Sequence, residues 1–170
     1  MKTRTLFIEK MEIIIKKASL KDASDILHVQ MAAFESEGKL YNDFTISPLV
    51  ETIEQVVKDF DTHIILKSVL NNGQLVGSVR GVMQGDICWL SRLSVLPEYQ
   101  KKGIGTNLML EIEKCFPKAC RYELAAGSKS YGNINLYKKL GYEPLEEIKK
   151  NNVILLRMGK TSKKEIKNGF

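Results

Sequence analysis

The chain has 170 residues and a mass of 19.3 kDa; 44% of it is hydrophobic and 27% charged. That is one domain's worth, with enough apolar side chain for a substantial core, and it excludes collagen-like, proline-rich and largely disordered sequence. Lysine and arginine total 26 against 20 acidic residues, a net charge of +6, and part of the surplus sits in the tail from Lys160 to Phe170, where Lys160, Lys163, Lys164 and Lys167 face Glu165.

In chain order, Glu12 to Lys17 is short and β-branched, which predicts a first strand. Leu20 to Glu37 reads as a helix capped by Asp22, with Ile26, Val29, Ala33 and Phe34 at helical spacing. Ser47-Pro48 opens a second helix, with Leu49, Ile53, Val56, Val57 and Phe60 on one face. His63 to Leu70 and Gln74 to Met83 are strands joined by the hairpin turn Asn71-Asn72-Gly73. After Gln84-Gly85-Asp86, a third strand runs from Ile87 to Leu96 and stops at Pro97. A helix from Gly103 to Phe116, a strand from Arg121 to Ala125 and a helix from Tyr131 to Leu140 follow, the last stopped by Gly141. Tyr142 to Lys149 and Asn152 to Met158 form a final strand pair. Tight hairpins make the middle strands antiparallel, and the later β-α-β crossover demands one parallel pair. The expected fold is α/β: a mixed, mostly antiparallel sheet of six to seven strands with helices on both faces. The whole chain, 1–170, is expected to be one domain, with a core of about 12–158 and a basic tail from 159 to 170.

Several function classes are disfavoured. Cys88, Cys115 and Cys120 are an odd set without a C-x-x-C, unlike a secreted disulfide framework. His28 and His63 lack metal-ligand spacing, so no metal is expected. The opening residues have only short apolar runs broken by charge, and no stretch approaches the ~18 apolar residues of a membrane helix. The expected location is the cytoplasm. The lysine tail lacks interleaved aromatics, so a solvated terminus is expected rather than a nucleic-acid or membrane-surface arm.

Chemistry concentrates between Leu93 and Thr106, where a strand enters a short loop and the loop enters a helix. Gly103 and Gly105 allow tight turning and close backbone approach to a ligand. The first N–H groups of the helix lack intrahelical partners, and with the helix dipole they form an anion site beside Lys101 and Lys102. A phosphate or pyrophosphate is the expected ligand. A dinucleotide fingerprint would need glycine at 108, which is Leu108; Gly159-Lys160-Thr161 ends like a Walker A motif, but Ile154 stands where its first glycine belongs.

The segment Gln100-Lys101-Lys102-Gly103-Ile104-Gly105 resembles the Q/R-x-x-G-x-G/A signature of the GNAT superfamily of acyl-CoA-dependent N-acetyltransferases. The preceding Leu93-Ser94-Val95-Leu96-Pro97-Glu98-Tyr99 is similar to that family's approach to the loop. Downstream, Asn133-Ile134-Asn135-Leu136-Tyr137-Lys138-Lys139-Leu140-Gly141-Tyr142 resembles its tyrosine-bearing helix. The two motifs stand in the family's order, and the likeness spans about Glu12 to Met158.

The resemblance implies a splayed central strand pair, the strand before the loop and the strand 121–125, opening a V-shaped cleft for acetyl-CoA. The backbone of Leu93 and Val95 would pair with the pantetheine arm, with the Leu93 N–H near the acetyl carbonyl. N–H groups from Lys101, Lys102, Gly103, Ile104, Gly105 and Thr106, next to Gln100, would hold the pyrophosphate. Ser130 stands where many members carry a cofactor-contacting asparagine, and Asn133, one turn on, is a second candidate. Tyr137 is the expected catalytic acid for the departing thiolate, since a phenol stays protonated at neutral pH.

An ammonium acceptor must also lose a proton before it attacks. Several members use a glutamate eleven residues ahead of the loop's glutamine; here that residue is Trp89, which cannot be a base. Asp86, Glu35 and Glu37 are the remaining carboxylates, and Ser91 is a relay candidate. Arg92 falls mid-strand, where a charge needs a partner; strand alternation would face it away from Trp89, Ser91 and Leu93. The region Phe34 to Ser47, with Tyr41, Asp43 and Phe44, corresponds to the family's variable acceptor wall. The expected activity is acetyl transfer from acetyl-CoA to a small-molecule or peptide amine in a ternary complex, with no metal. A non-catalytic acyl-CoA sensor is the alternative, and a homodimer is possible on the family's example.

Overall fold

The computed structural model describes residues 3–8 and 11–162. Eight strands form one sheet in the order β1-β2-β3-β4-β5-β6-β8-β7. They are β1 (Arg4–Ile8), β2 (Met11–Lys17), β3 (Ile64–Leu70), β4 (Leu75–Gln84), β5 (Ile87–Val95), β6 (Arg121–Gly127), β7 (Glu143–Lys150) and β8 (Val153–Thr161). Only β5 and β6 pair in parallel; every other neighbour is antiparallel. The helices are α1 (Ala23–Tyr41), α2 (Ser47–Val50), α3 (Ile53–Asp59), α4 (Ile104–Lys114) and α5 (Tyr131–Lys139).

The mixed, mostly antiparallel sheet matches the expected fold class, and the strand count exceeds the expected six to seven. The added strand is β1, whose short apolar run pairs with β2 at the sheet edge. Residues 159 to 161, expected in the basic tail, belong to the sheet instead. Gly159, Lys160 and Thr161 continue β8, and Lys160 Nζ reaches Glu113 Oε2 of α4 at 2.8 Å. Lys163, Lys164, Glu165 and Lys167 lie outside the described residues.

Helices cover both faces because the central strand β4 is buried on both. Arg80 reaches Gln30 of α1, whereas a Cβ at Gly77 would meet Leu108 of α4. On α1, Ala23, Ile26, Val29 and Gln30 are buried; on α4, Ile104, Leu108, Met109 and Ile112 are. Burying each Leu or Ile in full contributes ~1.5–3 kcal/mol, so these two stripes clamp the sheet. The helix expected from Ser47 is instead two, split at Glu51 and Thr52. Thr52 starts a new helix through a capping box: its side chain accepts from Gln55 N–H, and Gln55 Oε1 accepts from Thr52 N–H at 2.8 Å. The break turns Glu51 inward.

Candidate active site

The parallel pair is short. β5 and β6 pair at Ile87–Arg121, Cys88–Tyr122 and Trp89–Glu123, and the ladder then ends. From Leu90 to Val95 the strand has β4 on one side only, while β6 diverges and keeps β8 along its other edge. The gap is a cleft of about 470 Å³. β5 lines it from Trp89 to Leu93 and β6 from Leu124 to Gly127, with α1, the Thr45–Val50 segment, α5 and the β7–β8 hairpin closing round.

Beyond the cleft's Leu93 end lies the loop. Leu96 N–H donates to Val76 O of β4 at 2.9 Å. Alternation therefore turns the amide groups of Val95 to the open side, where Gln100 Nε2 donates to Val95 O at 2.9 Å. The Gln100 side chain thus pins the loop to the strand. Lys101 (φ +58°) and Gly103 (φ +80°) are left-handed, and α4 starts at the next residue, Ile104. A left-handed residue beside helical ones converges successive N–H groups into an anion-binding concavity. Gly105 follows on the helix, and a Cβ there would stand 3.6 Å from Leu136 and 3.8 Å from Leu93. The loop therefore adjoins both the splayed strand and α5. Residues Gln100 to Thr106, Val95 and Ser130, expected at the cofactor, lie outside the cleft lining.

Tyr137 lines the cleft and is 7% exposed, with its ring packed edge-on against Tyr142. Burial, and the Glu37 charge nearby, push its phenol above the ordinary value. Glu37 lines the same space from α1. Its two oxygens accept from Ser130 Oγ at 2.5 Å and Asn133 Nδ2 at 3.3 Å. The two polar residues expected to contact cofactor are thus joined to a carboxylate. Of the three carboxylates considered as bases, Glu37 alone lines the cleft; Glu35 and Asp86 are exposed elsewhere. Trp89 and Ser91 are both in the cleft wall.

Strand alternation fails at Arg92. Ser91 pairs with Arg80 and Ser94 with Ser78, so Arg92 and Leu93 together face the single residue Val79. This is a β-bulge, and Arg92 takes φ +54° in it. A left-handed arginine costs ~1–3 kcal/mol and persists only where its surroundings enforce it. The bulge puts Arg92 on the same face as Trp89 and Ser91, the side of Arg80 and Glu51, while Leu93 keeps the opposite face, toward Gly105 of α4; all four line the cleft. Its expected carboxylate partner is internal: Glu51, at 3.4 Å.

Glu51 belongs to a network that the sequence did not announce. Arg80, 1% exposed, donates to Glu51 at 3.0 Å, to Asp59 at 2.5 Å and to Gln30 Oε1 at 2.7 Å. Gln30 Nε2 donates in turn to Glu51 at 2.7 Å and to Pro48 O at 2.9 Å. Burial opposes the Glu51 charge, but hydrogen bonds from Arg80 and Gln30 and the charges of both arginines outweigh it and hold the carboxyl below its usual range. Arg80 in mid-strand was the one available signal, of the same kind as Arg92.

Cys88 is fully buried and lies outside the cleft lining; burial first, then the Glu113 charge, pushes its thiol up to about 12. It is a core residue, not a nucleophile. Cys115 and Cys120 are each only partly buried. Among the described residues, no group of three His, Cys, Asp or Glu could hold a metal ion, and no helix is long and apolar enough to cross a membrane.

The model of the acetyltransferase (GNAT) family matches residues 24–142, well over half the chain. The chain belongs to the GNAT acetyltransferase family. Solved structures share its fold. The PaiA N-acetyltransferase of Thermoplasma acidophilum in complex with coenzyme A has TM-score 0.68 at 20% identity, covering 88% of this chain and 99% of that one. The ribosomal-protein-S18-alanine N-acetyltransferase of Escherichia coli has TM-score 0.71 at 15% identity, covering 88% and 93%. The GNAT domain of S. lividans PAT has TM-score 0.72 at 16% identity, covering 91% and 95%. No curated protein matches in sequence.

The residues present suit the cofactor of a GNAT enzyme. An extended arm with amide groups matches a strand lacking a neighbour beyond Trp89, and a diphosphate matches converging N–H groups at a helix start.

Proposed function

We propose that this chain transfers acetyl from acetyl-CoA to a primary amine held in the cleft, by direct attack in a ternary complex. The observation that carries the reading is the ladder break after Trp89, which opens β5 toward the wall bearing Tyr137 and Glu37. Main-chain N–H groups from Lys101 to Thr106 would hold the pyrophosphate, and the open backbone of Leu93 and Val95 the pantetheine arm. Gln100 acts by fixing the loop to Val95. When bound, acetyl-CoA supplies an activated acyl group and a thiolate leaving group.

Each chemical requirement then falls to a named group. The Leu93 N–H polarises the carbonyl. Glu37, held by Ser130 and Asn133, attracts the acceptor's ammonium and takes its proton directly or through water. Tyr137, its phenol raised by burial and by the Glu37 charge, stays protonated near neutrality and donates to the departing sulfur. Asp43 adds a second negative charge to the acceptor side, with Trp89 and Phe34 as apolar wall. That set suits a cationic, partly apolar amine. The sensor alternative loses its main support, since Glu37 supplies the carboxylate that Trp89 does not.

The test is calorimetry with coenzyme A, then thiol release from acetyl-CoA with a panel of polyamines, amino acids and peptides. Measurable coenzyme A affinity is expected, with turnover on at least one amine that Tyr137→Phe and Glu37→Gln each lower by ~10²-fold. Binding without turnover on any amine would favour the sensor; no affinity for coenzyme A would end both readings.

A further inference from the structure

The bulge does more than interrupt a ladder. The peptide unit between Arg92 and Leu93 carries the Leu93 N–H at one edge and the Arg92 carbonyl at the other, and a trans peptide points them in opposite directions. That carbonyl accepts from Ser94 Oγ at 3.0 Å, and Ser94 is 1% exposed. The φ of Arg92 is held from the other side. Its guanidinium donates to Ser47 Oγ at 2.8 Å and faces Glu51 at 3.4 Å. Glu51 cannot follow a moving Arg92, because Arg80 and Gln30 fix both its oxygens from beneath.

We propose that Glu51 and Ser94 are positioning residues that aim the Leu93 N–H at the acetyl carbonyl. Ser94 pins the far edge of the peptide unit, and Glu51 holds Arg92 in the left-handed conformation that the unit requires. Without these ties the arginine relaxes toward extended backbone and the Arg92–Leu93 peptide unit rotates in place, turning the Leu93 N–H away. The inference rests on the reading of the cleft given above. It goes beyond it by tying a single amide to a buried network whose other end, from Ser47 to Glu51, is the acceptor wall. Misaiming the amide removes a contact made only to the acetyl group, so coenzyme A itself, which lacks that group, is the internal control.

Full-length wild type, Glu51→Gln and Ser94→Ala are titrated by calorimetry with coenzyme A and with acetyl-CoA. Isotope-edited infrared follows the bound thioester carbonyl. In both variants coenzyme A affinity is expected to stay within about twofold, while the preference for acetyl-CoA falls about three- to tenfold, the range of one hydrogen bond. The bound carbonyl band should move toward its solution position. A role confined to stability would lower both affinities together and leave the band in place, and that result overturns the proposal. So does wild-type behaviour in both variants. If Glu51→Gln fails to fold, Ser94→Ala decides alone, since it removes one hydroxyl and leaves every charge pair intact. Wild type that binds neither ligand would sink the cofactor reading and this proposal together; wild type that binds both, with unaltered variants, would sink the positioning role only.

Discussion

The two sides of the cleft are built differently. The proposed donor side, Leu93 to Thr106, is one continuous stretch whose features are main-chain: a bulge, two left-handed residues and a helix start. The acceptor side is assembled from side chains of α1, the α2–α3 break, β4 and β5, through Gln30, Glu51, Asp59, Arg80 and Arg92. A main-chain device tolerates many side chains and so leaves a short, repeatable signature. A side-chain network tolerates few, and its members are scattered along the chain. Donor chemistry can therefore be common to a family while acceptor choice changes from member to member.

If the acceptor side depends on its network as described, its largest break is Arg80→Ala. Removing one partner leaves the Glu51 carboxylate, only 9% exposed, without its main cation and should cost about 3–5 kcal/mol, read by denaturant or thermal unfolding. Coenzyme A affinity of the folded fraction should change little; a loss there would merge the two sides. The donor side breaks at its backbone. Gly103→Ala forces a side chain into φ +80° and is expected to cost about 1–2 kcal/mol, seen as roughly tenfold weaker coenzyme A binding with acceptor turnover at saturation nearly intact. A Cβ at Gly103 meets only Asn107 Nδ2, at 3.8 Å, so conformation rather than collision is what that variant tests.

Titration gives the smallest effects near neutrality, and it sets the buried phenols against the acceptor-side Glu51 by sign. Burial raises the phenols of Tyr137 and Tyr142. The unfolded chain ionises its tyrosines near ~10 while the native chain keeps these two protonated, so stability is full below that pH and falls as pH rises past it. Glu51 runs the other way. Its lowered carboxyl stabilises the native state above the unfolded value near ~4.3, and that share is lost as pH falls through the native value. Melting temperature against pH should show both flanks, and Glu51→Gln should flatten the acid flank alone.

How legible each part was follows from range. Asn71-Asn72-Gly73, Pro97 and Gly141 mark their turns locally, so the element order could be read directly; Gly73 and Gly141 take positive φ as such turns need. β1 was missed because its five residues carry too short an apolar run to show a period, and they form an edge strand paired with β2 alone. The break at Glu51 was missed because Pro48 and the apolar stripe continue a helical pattern that the capping box at Thr52 overrides. Arg92 was set opposite Trp89 and Ser91, whose face it shares, because alternation assumes an unbroken ladder, and the bulge depends on β4.

The sequence by itself determined the loop, the tyrosine helix and the antiparallel-then-parallel order of the sheet, because each rests on neighbours a few residues apart. Only the tertiary structure decided that Glu37 gathers Ser130 and Asn133, more than ninety residues away, beside Tyr137. It alone joined Glu51 to Arg92 across 41 positions. Carboxylates at such separations show no spacing rule. Their roles appear only when burial removes water and makes each charge find a partner.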